Sequence, residues 1–116
     1  MDKQKNSTPK AYKISFSINS IRNIDEITGY IAFINQQPLN AIHVGDAIFE
    51  TIHRIELHPY SFKECDALKT KSKRYRQAVC KSWIIIYKVI KDNIVILGII
   101  HSSRKPSNLK KMKQNR

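Results

Sequence analysis

Glycine, proline and cysteine are scarce in this sequence of 116 residues, with three, four and two copies respectively. The glycines, Gly29, Gly45 and Gly98, are too far apart to form a Gly-rich phosphate-binding loop. The two cysteines, Cys65 and Cys80, exclude a secreted scaffold held together by many disulfides. No serine lies in a Gly-x-Ser-x-Gly motif, so the sequence also lacks the nucleophile signature of many hydrolases.

Long apolar runs are missing as well. The nearest candidate, Trp83 to Ile100, has Lys88, Lys91 and Asp92 at its centre, whereas a membrane-spanning helix needs about 20 predominantly apolar residues. The first ten residues are polar and contain no apolar segment of the kind found in signal peptides. We therefore expect a cytoplasmic protein that has no membrane partner.

Acidic residues are few, because 9 Asp and Glu stand against 21 Lys and Arg, and the formal net charge is +12. The excess is unevenly distributed: residues 11–59 carry −2, residues 60–91 carry +7 and residues 101–116 carry +6. Such a concentration of positive charge indicates a polyanionic target or an acidic protein partner.

The composition is that of one globular domain, with 41% apolar and 26% charged residues. We expect residues 1–10 to be a disordered lead-in, residues 11–104 to form the folded domain, and residues 105–116 to be a basic C-terminal tail. The tail has only two large apolar residues, Leu109 and Met112, and is predicted to be a short helix or a flexible segment.

Two amphipathic helices are predicted after a first strand at residues 11–17. Ser17 is a suitable N-cap for the first helix, in which isoleucines recur every three or four residues from Ile18 to Ile34. Pro38 is suited to the first turn of the second helix, which the His58-Pro59 pair ends. The short connection between them indicates an antiparallel helical hairpin, with Gly45 permitting a close helix contact.

Three further strands are predicted at residues 74–80, 83–90 and 94–100, after a polar loop from Tyr60 to Lys73. The two-residue connections between them are typical of an antiparallel meander. The order β-α-α-β-β-β indicates an α+β fold, in which the helical hairpin packs on one face of a small, mostly antiparallel sheet.

Candidate chemical groups are limited. The spacing of His43, His53 and His58 does not place them on one helix face, so we expect no metal and no cofactor. An imidazole with two guanidinium groups can transfer a proton and stabilise phosphate charge. Arg76, His101 and Arg104 are therefore the candidate catalytic set if the protein cleaves RNA.

Four stretches occur in an order and spacing that resemble a known family. They are Tyr12 to Ser17, then Asp25-Glu26-Ile27 with Tyr30-Ile31, then Ile55 to Pro59, and finally a C-terminal block that contains Tyr75-Arg76, Trp83 to Val89, Ile94 to Ile100 and His101-Ser102-Ser103-Arg104. These stretches lie within a span from Tyr12 to Arg104, about four fifths of the chain, and resemble the RelE/ParE superfamily of bacterial toxins from type II toxin–antitoxin systems.

The resemblance implies one of two activities. RelE-like toxins are ribosome-dependent mRNA endonucleases with basic residues on the sheet, whereas ParE-like toxins inhibit DNA gyrase, apparently through a basic C-terminal region. Arg76 and Arg104 match two basic positions of the nucleases, but Ala78 and Ile84 stand at two others. No tyrosine or histidine follows His101. The sequence is therefore more similar to the ParE-like branch.

The resulting hypothesis is a ParE-like toxin of the plasmid-stabilisation type, which inhibits DNA gyrase and is neutralised by a cognate acidic antitoxin. The expected target-binding residues are basic: Lys73, Arg74, Arg76, Arg104, Lys105, Lys110 and Lys111. Two alternatives stay open, namely a RelE-like endoribonuclease whose partners are the ribosome and mRNA, and a non-toxic basic RNA-binding module. Whether the protein is an enzyme depends on which alternative holds.

Overall fold

Six helices and strands make up the framework of residues 12–103, the part of the chain that the computed structural model describes. They are β1 (Lys13–Phe16), α1 (Ile18–Gly29), α2 (Pro38–Leu57), β2 (Tyr75–Cys80), β3 (Trp83–Ile90) and β4 (Asn93–His101). A π-helical turn, Tyr30–Ile34, continues α1, and two 3-10 turns, Pro59–Ser61 and Asp66–Leu68, lie between α2 and β2. This order confirms the predicted β-α-α-β-β-β arrangement.

The four strands form one mixed sheet in the order β1-β4-β3-β2. β2, β3 and β4 are an antiparallel meander, as predicted, and β1 runs parallel to β4 with Phe16 opposite Ile96. Lys81 and Lys91 begin the two tight turns and have φ of 54° and 55°. Positive φ at these positions is what two-residue hairpin turns require.

The start of α1 is joined to the edge of β4 by polar side chains. Ser17 is the N-cap, as predicted: its hydroxyl accepts from the Ser20 amide at 3.0 Å and donates to the Leu97 carbonyl at 2.9 Å. Asn19 donates to the same carbonyl at 3.0 Å, and Asn23 accepts from the Ile99 amide at 2.9 Å. Because β1 has ended, these side chains satisfy the edge of β4 that β1 leaves uncovered.

The predicted isoleucine stripe of the first helix is only partly buried. Ile27 and Ile31 are each 8% exposed, whereas Ile18 is 67% and Ile34 is 66% exposed. Ser17 and the other polar residues of the first turn take the position against β4, which turns Ile18 outward. At the other end, the wider π-helical turn changes the helical phase, so Ile34 no longer follows the buried side.

α2 agrees more closely with its predicted pattern, an apolar stripe of Ala41, Gly45, Ile48, Ile52 and Ile55 that Val44 and Phe49 widen, although Phe49 is 51% exposed. It begins at Pro38 and ends before His58, and its inward residues are buried: Ala41, Val44, Ile48, Ile52 and Ile55. A Cβ atom at Gly45 would lie 3.6 Å from the Thr28 methyl group, an ordinary van der Waals distance. Gly45 thus faces the first helix closely, as expected, but an alanine would also fit at this position.

The segment predicted as a polar loop forms a second cover on the sheet. Cys65 and Leu68 are 0% and 3% exposed and pack with Ile86 and Leu97 on the face opposite the helices. The middle strands are therefore buried on both faces, which explains their nearly continuous isoleucine and valine sequence. Burial also raises the pKa of the Cys65 thiol.

No helix within residues 12–103 is both long and apolar enough to cross a membrane.

We expect Ser17→Ala to lower the free energy of unfolding by about 2 kcal/mol, because it removes the α1 cap and the hydroxyl contact to β4. Ser15→Ala is the matched control, since Ser15 is an exposed serine on the adjoining strand. Its effect should stay within about 0.5 kcal/mol. Urea denaturation followed by tryptophan fluorescence measures both, and equal stability of the two variants would contradict this role of Ser17.

Candidate functional site

Arg76, a residue of both predicted sets, is held at the start of β2 by contacts within the protein. Its Nε donates to the Lys73 carbonyl at 3.1 Å and its Nη1 donates to the Phe62 carbonyl at 3.0 Å. The guanidinium carbon also lies 4.9 Å from the centre of the Tyr60 ring, a cation–π distance. The cation is thus engaged with the turn that follows α2.

Tyr87 holds the same turn from the middle of β3. Its buried hydroxyl donates to the Pro59 carbonyl at 2.5 Å, and its ring meets Phe62 edge-on with centroids 6.4 Å apart. Burial raises the pKa of the Tyr87 hydroxyl well above its usual value, although the nearby Arg76 charge opposes this shift. The hydroxyl therefore stays protonated at neutral pH and remains a donor.

His101 ends β4 in a different environment. Its Nδ1 lies 2.9 Å from the Ser103 hydroxyl, and its ring contacts Trp83 edge-on at a centroid distance of 5.1 Å. Both rings belong to the helix-facing side of the sheet, and His101 is exposed. The immediate neighbours of the imidazole are a hydroxyl and an indole.

The structure does not bring Arg76 and His101 together. Arg76 is opposite Tyr87 and His101 is opposite Trp83, four residues away along β3. This register separates them by about 13 Å along the strands and about 10 Å across them. Arg104, the third member of the predicted catalytic set, lies outside the described residues.

The predicted target-binding cations that the structure describes lie at one end of the sheet. Lys73 and Arg74 are exposed and lie immediately before β2. The chain leaves β4 at the far end, where the Ser102 amide donates to the Ser82 carbonyl at 2.9 Å. Arg104 and the tail residues Lys105, Lys110 and Lys111 follow that point and are outside the described residues.

In residues 63–74, the basic segment before β2, some lysines form ion pairs and others do not. Lys63 lies 3.1 Å and Lys69 4.0 Å from the Asp66 carboxylate. Lys71, Lys73 and Arg74 make no ion pair with a carboxylate of residues 12–103, which leaves their charge available to an external anion.

His43, His53 and His58, the histidines considered as metal ligands, do not form a cluster in the described part of the chain. His53 contacts Glu56 at 3.5 Å on the exposed side of α2. Among residues 12–103 no group of three or more His, Cys, Asp or Glu side chains has the arrangement of a metal site.

The sequence comparison identifies the family. The sequence pattern that describes the ParE toxin of type II toxin–antitoxin systems (parDE) matches residues 14–106. The chain belongs to this ParE toxin family. A comparison with curated protein sequences gives no match.

Solved structures show the same fold. The chromosomal ParDE toxin–antitoxin system of P. aeruginosa matches with a TM-score of 0.62 and 15% identity, over 78% of this chain and 96% of that chain. The RelBE2 toxin–antitoxin complex of Mycobacterium tuberculosis matches with a TM-score of 0.56 and 15% identity, over 79% of this chain and 99% of that chain. The fold of this ParE-family toxin is thus similar to those of proteins from both branches.

Two surface features of the toxin were not predicted from its sequence. One is a groove at the end of α2 that contains Tyr60, and the other is the open half of the β2 edge at Val79, which is 65% exposed. The proximity of Tyr60 to a run of cations is a sequence signal for the first. The second has no local signal, because edge position depends on strand order.

Arg76→Lys is expected to lower the free energy of unfolding by about 1–2 kcal/mol, because an ammonium group cannot reproduce the two carbonyl contacts and the stack on Tyr60. Arg74→Lys is the matched control: this neighbouring arginine is exposed and should change stability by less than about 0.5 kcal/mol. Thermal and urea unfolding measure the difference. If Arg76→Lys proves as stable as the control, Arg76 does not fasten the turn.

Proposed function

We propose that this ParE-family toxin inhibits DNA gyrase by non-covalent binding and is neutralised by a cognate acidic antitoxin, in a system of the plasmid-stabilisation type. The observation that carries the proposal is the use of Arg76. Its guanidinium is bound to two carbonyls and stacked on Tyr60, remote from His101. A group used in this way supports a binding protein more than a nuclease.

The target-contact surface of this proposal is basic. Lys73 and Arg74 offer unpaired charge at one end of β2, and the basic residues 104–116 follow Ser103, which lies at the other end of the sheet. β2 has six residues and is therefore about 20 Å long. A large partner such as gyrase can contact both ends at once. A toxin with this target would act in the cytoplasm.

The edge of β2 is the proposed docking site for an extended segment of the antitoxin. Residues 63–65 pair with its first half: the Cys65 amide donates to the Tyr75 carbonyl at 2.8 Å, and the Gln77 amide donates to the Lys63 carbonyl at 3.1 Å. The amide and carbonyl of Val79 point outward, as those of Tyr75 and Gln77 do, but they have no partner among residues 12–103. An added strand would satisfy both groups.

The helical hairpin offers the second antitoxin surface. Tyr30, Phe33 and Leu39 at its tip are 58%, 80% and 72% exposed, an apolar patch of the kind that marks protein interfaces. α1 and α2 together carry two Arg and five Asp or Glu residues. The hairpin therefore attracts a partner through apolar contact, whereas the acidic part of the antitoxin is directed to the basic β2 side.

The nuclease alternative is kept because the RelBE2 complex has a similar fold. It would require Arg104 and the tail to approach either Arg76 or His101, since these two lie at opposite ends of the sheet. Under that alternative, mRNA cleavage on the ribosome should fall at least tenfold in Arg104→Ala.

Deletion of residues 105–116 should abolish toxicity while leaving the folded domain intact, because it removes the tail charge proposed to contact gyrase. Growth arrest and a DNA-damage reporter are followed together in a bacterial host, and circular dichroism checks the fold. Deletion of residues 1–10 is the control, since it removes a similar length of chain and keeps the tail. The full chain should arrest growth with strong reporter induction.

Three outcomes would count against the gyrase proposal. A fully toxic tail deletion removes the tail from the mechanism. Arrest with a silent reporter favours the mRNA endonuclease. Absence of arrest by the full chain favours the non-toxic binding module.

Val79→Pro should weaken antitoxin binding at least tenfold, because it removes the outward amide of β2 without a loss of hydrogen bonds to β3. The partner is the small acidic protein that we expect to be encoded beside this chain, and calorimetric titration measures affinity. Val79→Thr keeps the amide and should bind as the unsubstituted chain does. Equal affinity of both variants would show that the antitoxin does not extend the sheet at this edge.

A further inference from the structure

An open groove lies where α2 ends, beside the first residue of the described chain. Its volume is about 450 Å³, and it is lined by Tyr12, Leu57, His58, Pro59, Tyr60 and Ser61. The groove is shallow and open to solvent, so it suits a ligand that lies along the surface rather than one that is enclosed. The lining is aromatic and polar rather than purely aliphatic.

Tyr60 is an aromatic platform in this groove. The Arg76 guanidinium stacks on the Tyr60 ring, with the guanidinium carbon 4.9 Å from the ring centre, and Tyr60 is nevertheless 52% exposed. A second planar group can therefore stack on the remaining surface of the ring. Planar bases stack on tyrosine irrespective of their identity, since every base has a π-face.

The groove is held in shape before any ligand binds. The Tyr87 hydroxyl fixes the Pro59 carbonyl, Arg76 fixes the Phe62 carbonyl, and the Ser61 amide donates to the His58 carbonyl at 3.1 Å. A ligand therefore does not have to order the turn, which reduces the entropic cost of binding.

Cations flank the platform. The Arg76 contact to the Lys73 carbonyl places Lys73 next to the guanidinium that covers Tyr60. Arg74 follows in sequence, with its Nε on the Ser72 hydroxyl at 3.0 Å, and the exposed Lys13 follows Tyr12 on the other side. The basic segment of residues 63–74 contains two carboxylates: Asp66 is paired with Lys63 and Lys69, and Glu64 accepts from the Thr70 amide at 3.4 Å.

We propose that this groove binds single-stranded nucleic acid, with one base stacked on Tyr60 and the adjoining phosphates beside Lys73 and Arg74. Aromatic platforms next to a basic track are how proteins bind single strands without sequence preference. A β-strand of a peptide partner cannot be added here, because residues 63–65 already occupy this half of the β2 edge. The proposed site uses no residue of the tail and does not depend on gyrase being the target.

The test must separate stacking from the general attraction of a chain with net charge +12 for nucleic acids. Full-length protein is titrated into fluorescein-labelled ten-nucleotide oligoadenylate, as RNA and as DNA, at several salt concentrations, and anisotropy is recorded. Tyr60→Ala should weaken binding about 5- to 100-fold, since one stacked base is lost. Tyr60→Phe keeps the ring and should remain within about twofold.

Tyr30→Ala is the matched control, because Tyr30 is 58% exposed but lies on the hairpin away from the groove. It should bind as the unsubstituted chain does. Lys73→Gln should lower the slope of log K against log salt by about one, whereas Tyr60→Ala should leave this slope unchanged. Fluorescence of Trp83, the one tryptophan of the chain, confirms that each variant is folded.

Equal affinity of Tyr60→Ala and the unsubstituted chain would overturn the proposal, as would an equal loss in Tyr30→Ala. If Tyr60→Ala weakens the antitoxin complex and not oligonucleotide binding, the groove is a peptide site and the proposal is wrong. With the stacking effect present, tighter binding of RNA than of DNA identifies RNA as the ligand through its 2′-hydroxyl groups. Tighter binding of DNA identifies DNA as the ligand, and equal affinity shows that the groove accepts both RNA and DNA.

Discussion

The attachment of the Pro59–Phe62 turn to the sheet is the interaction on which the rest of this toxin depends. The Tyr87 hydroxyl and the Arg76 guanidinium each donate a hydrogen bond to a carbonyl of this turn. The turn sets the position of the end of α2, and it also directs the chain into residues 63–68, which cover the second face of the sheet. Buried polar donors must be satisfied, so this one arrangement positions the helical layer and the second cover together.

The exposed backbone edges of β4 and β2 are covered to different extents, and this difference determines which edge is open to a partner. The edge of β4 beyond β1 is closed by Ser17, Asn19 and Asn23 of α1. The edge of β2 is closed only as far as Gln77, by residues 63–65. An open strand edge invites another chain. In this protein it lies on the basic side, while the apolar tip of the hairpin lies on the acidic side.

The same fold occurs in solved ParDE and RelBE2 systems, so the scaffold alone does not decide what this toxin acts on. A nuclease needs its cations to converge on one phosphate, because electrostatic stabilisation weakens with distance. Here Arg76 is engaged in holding a turn near one end of the sheet and His101 lies at the other end, so these two groups do not converge on one phosphate.

The sequence by itself determined the element order, the cap at Ser17, the buried side of α2 and the uneven charge, because periodicity, capping and charge are properties of neighbouring residues. The tertiary structure alone decided that Ile18 and Ile34 are exposed, since burial depends on which surface the sheet offers to each helical turn. It also decided the role of Arg76, because the Phe62 carbonyl that it binds comes from 14 residues earlier in the chain. The separation of Arg76 from His101 follows from strand register, which local patterns do not specify.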